Sequence, residues 1–314
     1  MSVVVTTLIV LAAAFPAAAA DAQMFAHRNM IPVPLDDSTR AIGLLPGLSY
    51  YADIERAWRS QADERAWDAR LAGSIELWRV TRNTSVLIET ADELVANSLK
   101  DGGFNPRGIS WELSIGVVHR FGSLTAQLDF AHYCRHAIDN LNPPGPAYFV
   151  PGYVVTQRTM SVNGPRLRLI SPAVRAGSRV TIRAAVAGER YQTQWDGREV
   201  EQNVSAPPTA DSWKAARGSL GADLRIDTEI GKRNFIFVRA STIDVLFAGT
   251  ADQPVTSTQH ENHRFELGWR ARGGDGALEL YGAVENLFDD LSSIGPQPSH
   301  IVGIGVRLAA LNQF

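Results

Sequence analysis

Leu220-Gly221-Ala222-Asp223-Leu224-Arg225-Ile226-Asp227 sets apolar or small residues at one parity and glycine or charge at the other. A β-strand sends successive side chains to opposite faces, so this segment reads as a strand with one oily side and one charged side. The pattern recurs. Trp111, Leu113, Ile115 and Val117 alternate with Glu112, Ser114 and Gly116, and Phe265, Leu267 and Trp269 alternate with Arg264, Glu266, Gly268 and Arg270.

Carried outward, the period of two predicts strands near 74–82, 85–95, 108–120, 123–135, 152–170, 178–191, 214–230, 233–247, 262–273, 276–286 and 299–311, with a first strand somewhere in 41–62. One segment resists that reading: Ala52 to Gly73, ADIERAWRSQADERAWDARLAG, has a composition that suits a helix. Many alternating strands fit either a soluble sandwich with its oily faces inward or a membrane barrel with them outward. Connection length separates the two, because outer-membrane barrels alternate short periplasmic turns with long external loops. Arg120 to Ser123, Ser171 to Ser178, Glu229 to Asn234 and Ala271 to Gly276 are short, whereas 136–150, 192–213, 248–261 and 287–298 are long and polar or proline-rich. The polar parity carries both signs of charge, among them Glu112, Asp129, Arg183, Glu189, Asp223, Arg225, Asp227, Arg264, Glu266, Arg270, Glu279, Glu285 and Arg307. In a barrel these would pair across the lumen and leave it narrow or blocked. The fold expected is therefore all-β: an antiparallel transmembrane β-barrel of about twelve strands, within a range of about 10–12, in the cell outer membrane.

The chain has 314 residues, with 30 basic and 33 acidic ones scattered without long blocks, which gives nucleic acid no footprint. Val3 to Ala20 is an apolar run broken by Pro16 and followed by Asp21. It reads as a signal peptide over residues 1–22, cut after Ala20 or Ala22, although no Lys or Arg precedes it and an N-terminal anchor is the alternative. Residues 23–60 are expected to form a periplasmic segment with a possible first strand, and residues 61–314 the barrel. No other stretch approaches the length of about 18 apolar residues that a spanning helix needs. Cys134 is the only cysteine, so no internal disulfide can form.

Ile304, Val306, Leu308 and Ala310 alternate with Gly305, Arg307 and Ala309 before the chain stops at Phe314. This resembles the C-terminal strand of outer-membrane proteins, whose alternation and final Phe are read by the barrel-insertion machinery; Asn312 departs from that pattern. Tyr281 to Asp289, YGAVENLFD, is similar to the hairpin near the end of TonB-dependent receptors. The chain is too short for their plug and 22 strands, so the motif implies only a strand and a turn.

Ala131 to Asp139, AHYCRHAID, concentrates the groups able to do chemistry. Parity puts Leu124, Ala126, Leu128 and Phe130 on the membrane face, continued by His132 and Cys134, with Gln127, Asp129, Tyr133 and Arg135 turned inward. A His and a thiol two residues apart on such a strand end resemble the His-x-Ser site of the outer-membrane lipid A deacylases. The resemblance implies His132 as general base, Cys134 as nucleophile in the serine's place, and Asp139 as the acid orienting the imidazole. The same stretch also resembles a group of outer-membrane barrels of unassigned function with a His- and Ser-rich strand end before their largest loop. Against chemistry stands a plainer reading, in which His132, Tyr133 and His136 belong to an interfacial girdle and Cys134 fills space. Two ligands, His132 and Cys134, fall short of a metal site. His260 and His263, in QHENH, are expected in an external loop. The glycines of Val302 to Val306, VGIGV, lie inside a strand and make room on the lumen side, so no dinucleotide, and no cofactor or metal, is expected.

Two functions follow from the sequence: a barrel with a structural or narrow-channel role, or a lipid-modifying esterase acting at His132 and Cys134. The partners expected are outer-membrane lipid and lipopolysaccharide, together with the insertion machinery during biogenesis.

Overall fold

The computed structural model describes residues 42–59, 66–97, 105–137, 155–200, 216–248, 259–273, 276–290 and 297–312. They are strands joined by turns: β1 (Gly43–Arg59), β2 (Trp67–Thr81), β3 (Thr84–Asn97), β4 (Asn105–Phe121), β5 (Leu124–Ala137), β6 (Val155–Ile170), β7 (Val174–Ala176), β8 (Val180–Arg190), β9 (Thr193–Val200), β10 (Ala216–Gly231), β11 (Asn234–Phe247), β12 (Gln259–Gly273), β13 (Gly276–Asp290) and β14 (Gln297–Asn312). All lie in one antiparallel sheet, and the β1 to β14 ladder, from Leu48↔Asn312 to Arg59↔Ile301, closes it.

Two staves of the cylinder are interrupted. β6 and β7 form one, broken at Pro172, where the Ser171 hydroxyl accepts from the Ala184 amide at 2.8 Å and keeps the register. β8 and β9 form another, broken at Tyr191 and Gln192, whose amides donate to Arg217 on one side and Asn163 on the other. The barrel therefore has twelve staves. Short turns gather at one end, where Gly122 and Gly177 adopt the positive φ that such turns need. Longer segments join the strands at the other end.

Three expectations from the sequence change here. Ala52 to Arg59 and Trp67 to Gly73 are strand, not helix, because β1 must pair with both β14 and β2 for the sheet to close, and tertiary pairing outweighs helix propensity. The stretch expected as loop after residue 191 contains β9, and β13 continues through Asp290. His263 belongs to β12 and not to a loop. The segment assigned to the signal peptide lies outside the described residues.

Side chains sort by parity as closure requires. Leu71, Leu113, Ile115, Leu128, Phe130, Phe265, Leu267, Ile304 and Leu308 project outward, exposed, while the charges project inward and are buried. An oily exterior around a charged, packed interior inverts the order of a soluble protein, and a closed sheet of this kind is an integral outer-membrane barrel.

The interior is bound by arginines that reach past neighbouring staves. Arg307 on β14 donates to Asp53 on β1 at 3.0 Å, to Glu266 on β12 at 2.9 Å and to Glu279 on β13 at 3.0 Å. Arg264 joins Glu266 at 2.7 Å, Glu285 at 2.8 Å and Glu55 at 2.5 Å. From β10, Arg225 reaches Glu279 on β13 at 2.7 Å. On the other side of the lumen, Arg166 and Arg168 hold Asp129 at 2.8 and 2.9 Å, and each also binds a carboxylate two or three staves away, Glu112 and Glu89 respectively. Gly305 leaves the notch that Tyr281 fills: a Cβ there would lie 2.3 Å from the ring, whose hydroxyl donates to Asp53 at 2.5 Å. Tyr51, Ala72, Leu87, Val118, Ile170 and Ala185 pack as a buried apolar cluster nearby.

Removing one partner from such a network strands buried charge. Arg307→Ala is expected to lower stability by about 3–5 kcal/mol, since three carboxylates lose one guanidinium. Denaturant unfolding in detergent, followed by the gel-mobility difference between folded and unfolded barrel, would measure it. A variant as stable as the wild type would mean that the network does not hold the cylinder.

Candidate functional site

Strand β5 rises from the turn at Gly122 with Leu128 and Phe130 on its outer face, and His132, Cys134 and His136 continue that face toward its far end. Gln127, Asp129 and Ala131 point inward and are buried. Tyr133 also turns inward, where it packs against a buried cluster that includes Met160, Val162, Tyr191 and Ile243, so it takes no part in an outer girdle.

Register brings β4, β6 and β9 to the same spot. One row across the wall is Leu113, His132, Asn163 and Thr193, and the adjoining row is Trp111, Cys134, Ser161 and Trp195. Nδ1 of His132 lies 2.6 Å from Oδ1 of Asn163, and Nδ2 of Asn163 donates to the Thr193 hydroxyl at 2.8 Å. In this arrangement Oδ1 of the amide faces the imidazole and Nδ2 faces the hydroxyl. The amide oxygen then accepts from Nδ1–H of His132, which leaves Nε2 as the imidazole's free lone pair.

The thiol has a different partner. Sγ of Cys134 contacts Nε2 of His136, whose ring sits edge-on to Trp111 with centroids 4.8 Å apart. A thiol in contact with an imidazole can pass it a proton and become a nucleophile. The structure therefore gathers His132, Cys134 and His136 on one outward face and gives each histidine its own neighbour. Asp139, expected to orient His132, lies outside the described residues. Asn163 occupies the orienting position, and sequence reasoning missed it for two reasons. A search for acids passes over an amide, and the long β5 to β6 connection hides the register that pairs 163 with 132.

Other outward hydrogen-bonded groups occur at strand ends. His263 bridges Thr242 at 2.9 Å and Glu261 at 2.9 Å, and His300 meets Asn286 at 2.6 Å. Among the described residues, no group of three or more His, Cys, Asp or Glu side chains could hold a metal ion.

No family model matches this sequence, and no curated protein matches it. Solved barrels resemble it in structure. The outer membrane phospholipase of Salmonella typhi is 14% identical over 86% of this chain and 92% of its own, with a TM-score of 0.41. An outer membrane channel of Pseudomonas putida F1 is 10% identical over 87% and 97%, with a TM-score of 0.46. The toluene transporter of Ralstonia pickettii is 10% identical over 87% and 90%, with a TM-score of 0.37.

The His132 to Asn163 hydrogen bond should be visible in solution. In detergent-solubilised protein, the nitrogen-15 shifts of His132 are expected to report the Nδ1–H tautomer, and Asn163→Ala should return them toward the mixture of a free imidazole. Identical spectra for the two proteins would remove Asn163 from the site.

Proposed function

We propose that this outer-membrane barrel has a structural or narrow-channel role, passing at most small solutes. The observation that supports this is the set of buried arginines, including Arg307, Arg264, Arg225 and Arg168, that project into the lumen and tie carboxylates on staves up to three away. Between Tyr51, Asp53, Arg70, Arg239, Ser241, Arg264, Glu266 and Arg307 there remains a space about the size of one water molecule. A solute would have to separate these ion pairs to pass, and each separated charge would need rehydration in a confined space. Purified protein in planar bilayers is expected to give small conductance or none. Large, steady openings would contradict the reading, whereas a rise in conductance on replacing Arg264 and Arg307 together by Ala would support it.

A second reading, a lipid-modifying esterase working from the outer wall, is favoured by one observation: the thiol of Cys134 against the imidazole of His136, beside a second histidine oriented by Asn163. The site faces outward, so its substrate would be an acyl ester of outer-membrane lipid or lipopolysaccharide. Comparison of lipid from cells expressing wild type and Cys134→Ala by mass spectrometry is expected to show fewer acyl chains with the wild type. Equal acylation in both would remove the esterase.

A further inference from the structure

On the esterase reading, two histidines flank one thiol, at alternate positions of the same strand face. Same-face neighbours along a strand are separated by two residues, about 6.6 Å of rise, so an acyl group on Cys134 would lie within reach of both rings. The two rings nevertheless differ in what holds them. His136 touches the sulfur and packs against Trp111, whereas His132 is turned sideways across the wall to Asn163.

We propose that the histidines divide the reaction: His136 activates the thiol for acylation, and His132, steered by Asn163, activates the water that removes the acyl group. In the first half, Nε2 of His136 takes the thiol proton and the thiolate attacks the ester carbonyl. The C–S bond forms, the ester C–O bond breaks, and the departing alkoxide takes the proton from His136. In the second half, water attacks the thioester carbonyl while Nε2 of His132 takes its proton. The C–S bond breaks, the sulfur regains a proton from His132, and the acyl chain leaves as a fatty acid. Ester and water give acid and alcohol, with no redox change.

Geometry supports each half. A base for the thiol must touch it, and His136 does. A base for water must present an unprotonated nitrogen that the sulfur does not already occupy, and His132, with its Nδ1 turned to Oδ1 of Asn163, offers Nε2 for that role. The acyl chain has a track: Leu113, Ile115, Phe130 and Leu128 continue outward along β4 and β5 toward the membrane centre. Asn163 acts here as a positioning residue, since it works through His132.

The test uses full-length protein in vesicles of phospholipid alone or of lipopolysaccharide, two arms that separate the sources of the ester. Fatty-acid release and the mass of the intact protein are read for the wild type and for His132→Ala, His132→Gln, His136→Ala, Asn163→Ala and Cys134→Ala, each checked for the folded-barrel gel mobility. The wild type should release fatty acid in at least one arm without accumulating an adduct. His132→Ala and His132→Gln should lose about 100-fold or more in turnover and gain one acyl chain that hydroxylamine removes. Asn163→Ala should show the same adduct with a smaller loss in kcat and little change in KM, a pattern that general weakening of the wall would not give. His136→Ala and Cys134→Ala should show neither adduct nor release. Wild-type release that disappears in Cys134→Ala, combined with no adduct in either His132 variant, overturns the division of labour and leaves the esterase standing. No release by the wild type in either arm, or release undiminished in Cys134→Ala, overturns the esterase reading and this proposal with it.

Discussion

Hydrocarbon offers the backbone no hydrogen-bond partners, so every strand of this chain must find both neighbours within the sheet. The ladder between β1 and β14 meets that demand, and the rest of the structure follows from it. Closure turns a strand's two faces into an inside and an outside. It also overrides local preference: the helix-prone stretch from Ala52 becomes strand because an open edge facing lipid would leave a whole row of amides and carbonyls unpaired.

Once the sheet is closed, the charged face has nowhere to go but the lumen. Isolated charges there would be costly, and the sequence answers with arginines long enough to serve several carboxylates at once. Arg307 meets three and Arg264 meets three, drawn from different staves. Glycines at 303 and 305 complete the packing by leaving room for Glu55 and Tyr281. The same bonds that stiffen the cylinder occupy its interior.

The outer wall carries polar groups of its own. On the wall, polar outward groups occur toward the strand ends and satisfy one another across the ladder, as His132 does with Asn163 and His263 with Thr242 and Glu261. The β5 group differs from these others in carrying a thiol. Cys134 lies in a row with two outward tryptophans, Trp111 and Trp195, the residue type that settles at a membrane interface. A lipid ester lying at that depth would meet the thiol directly, without entering the barrel.

Alternation along single strands, as in Leu220 to Asp227 or Ile304 to Ala310, was enough to show the all-β architecture, the count of about twelve strands and the parity that faces His132 and Cys134 outward, because side-chain direction in a strand depends only on position. Charge at the other parity told of a crowded lumen. Some pairs, such as Arg264 with Glu266, are same-face neighbours on one strand, but which distant carboxylate meets which arginine was not legible, since partners such as Glu55 and Arg264 are brought together by curvature of the sheet. Asn163 beside His132 was hidden for a related reason: residues 138–154 separate their strands, and register across so long a connection is set by pairing through the whole cylinder. Strand faces were readable from alternation alone, whereas the partners across them emerge only when distant segments meet in the closed sheet.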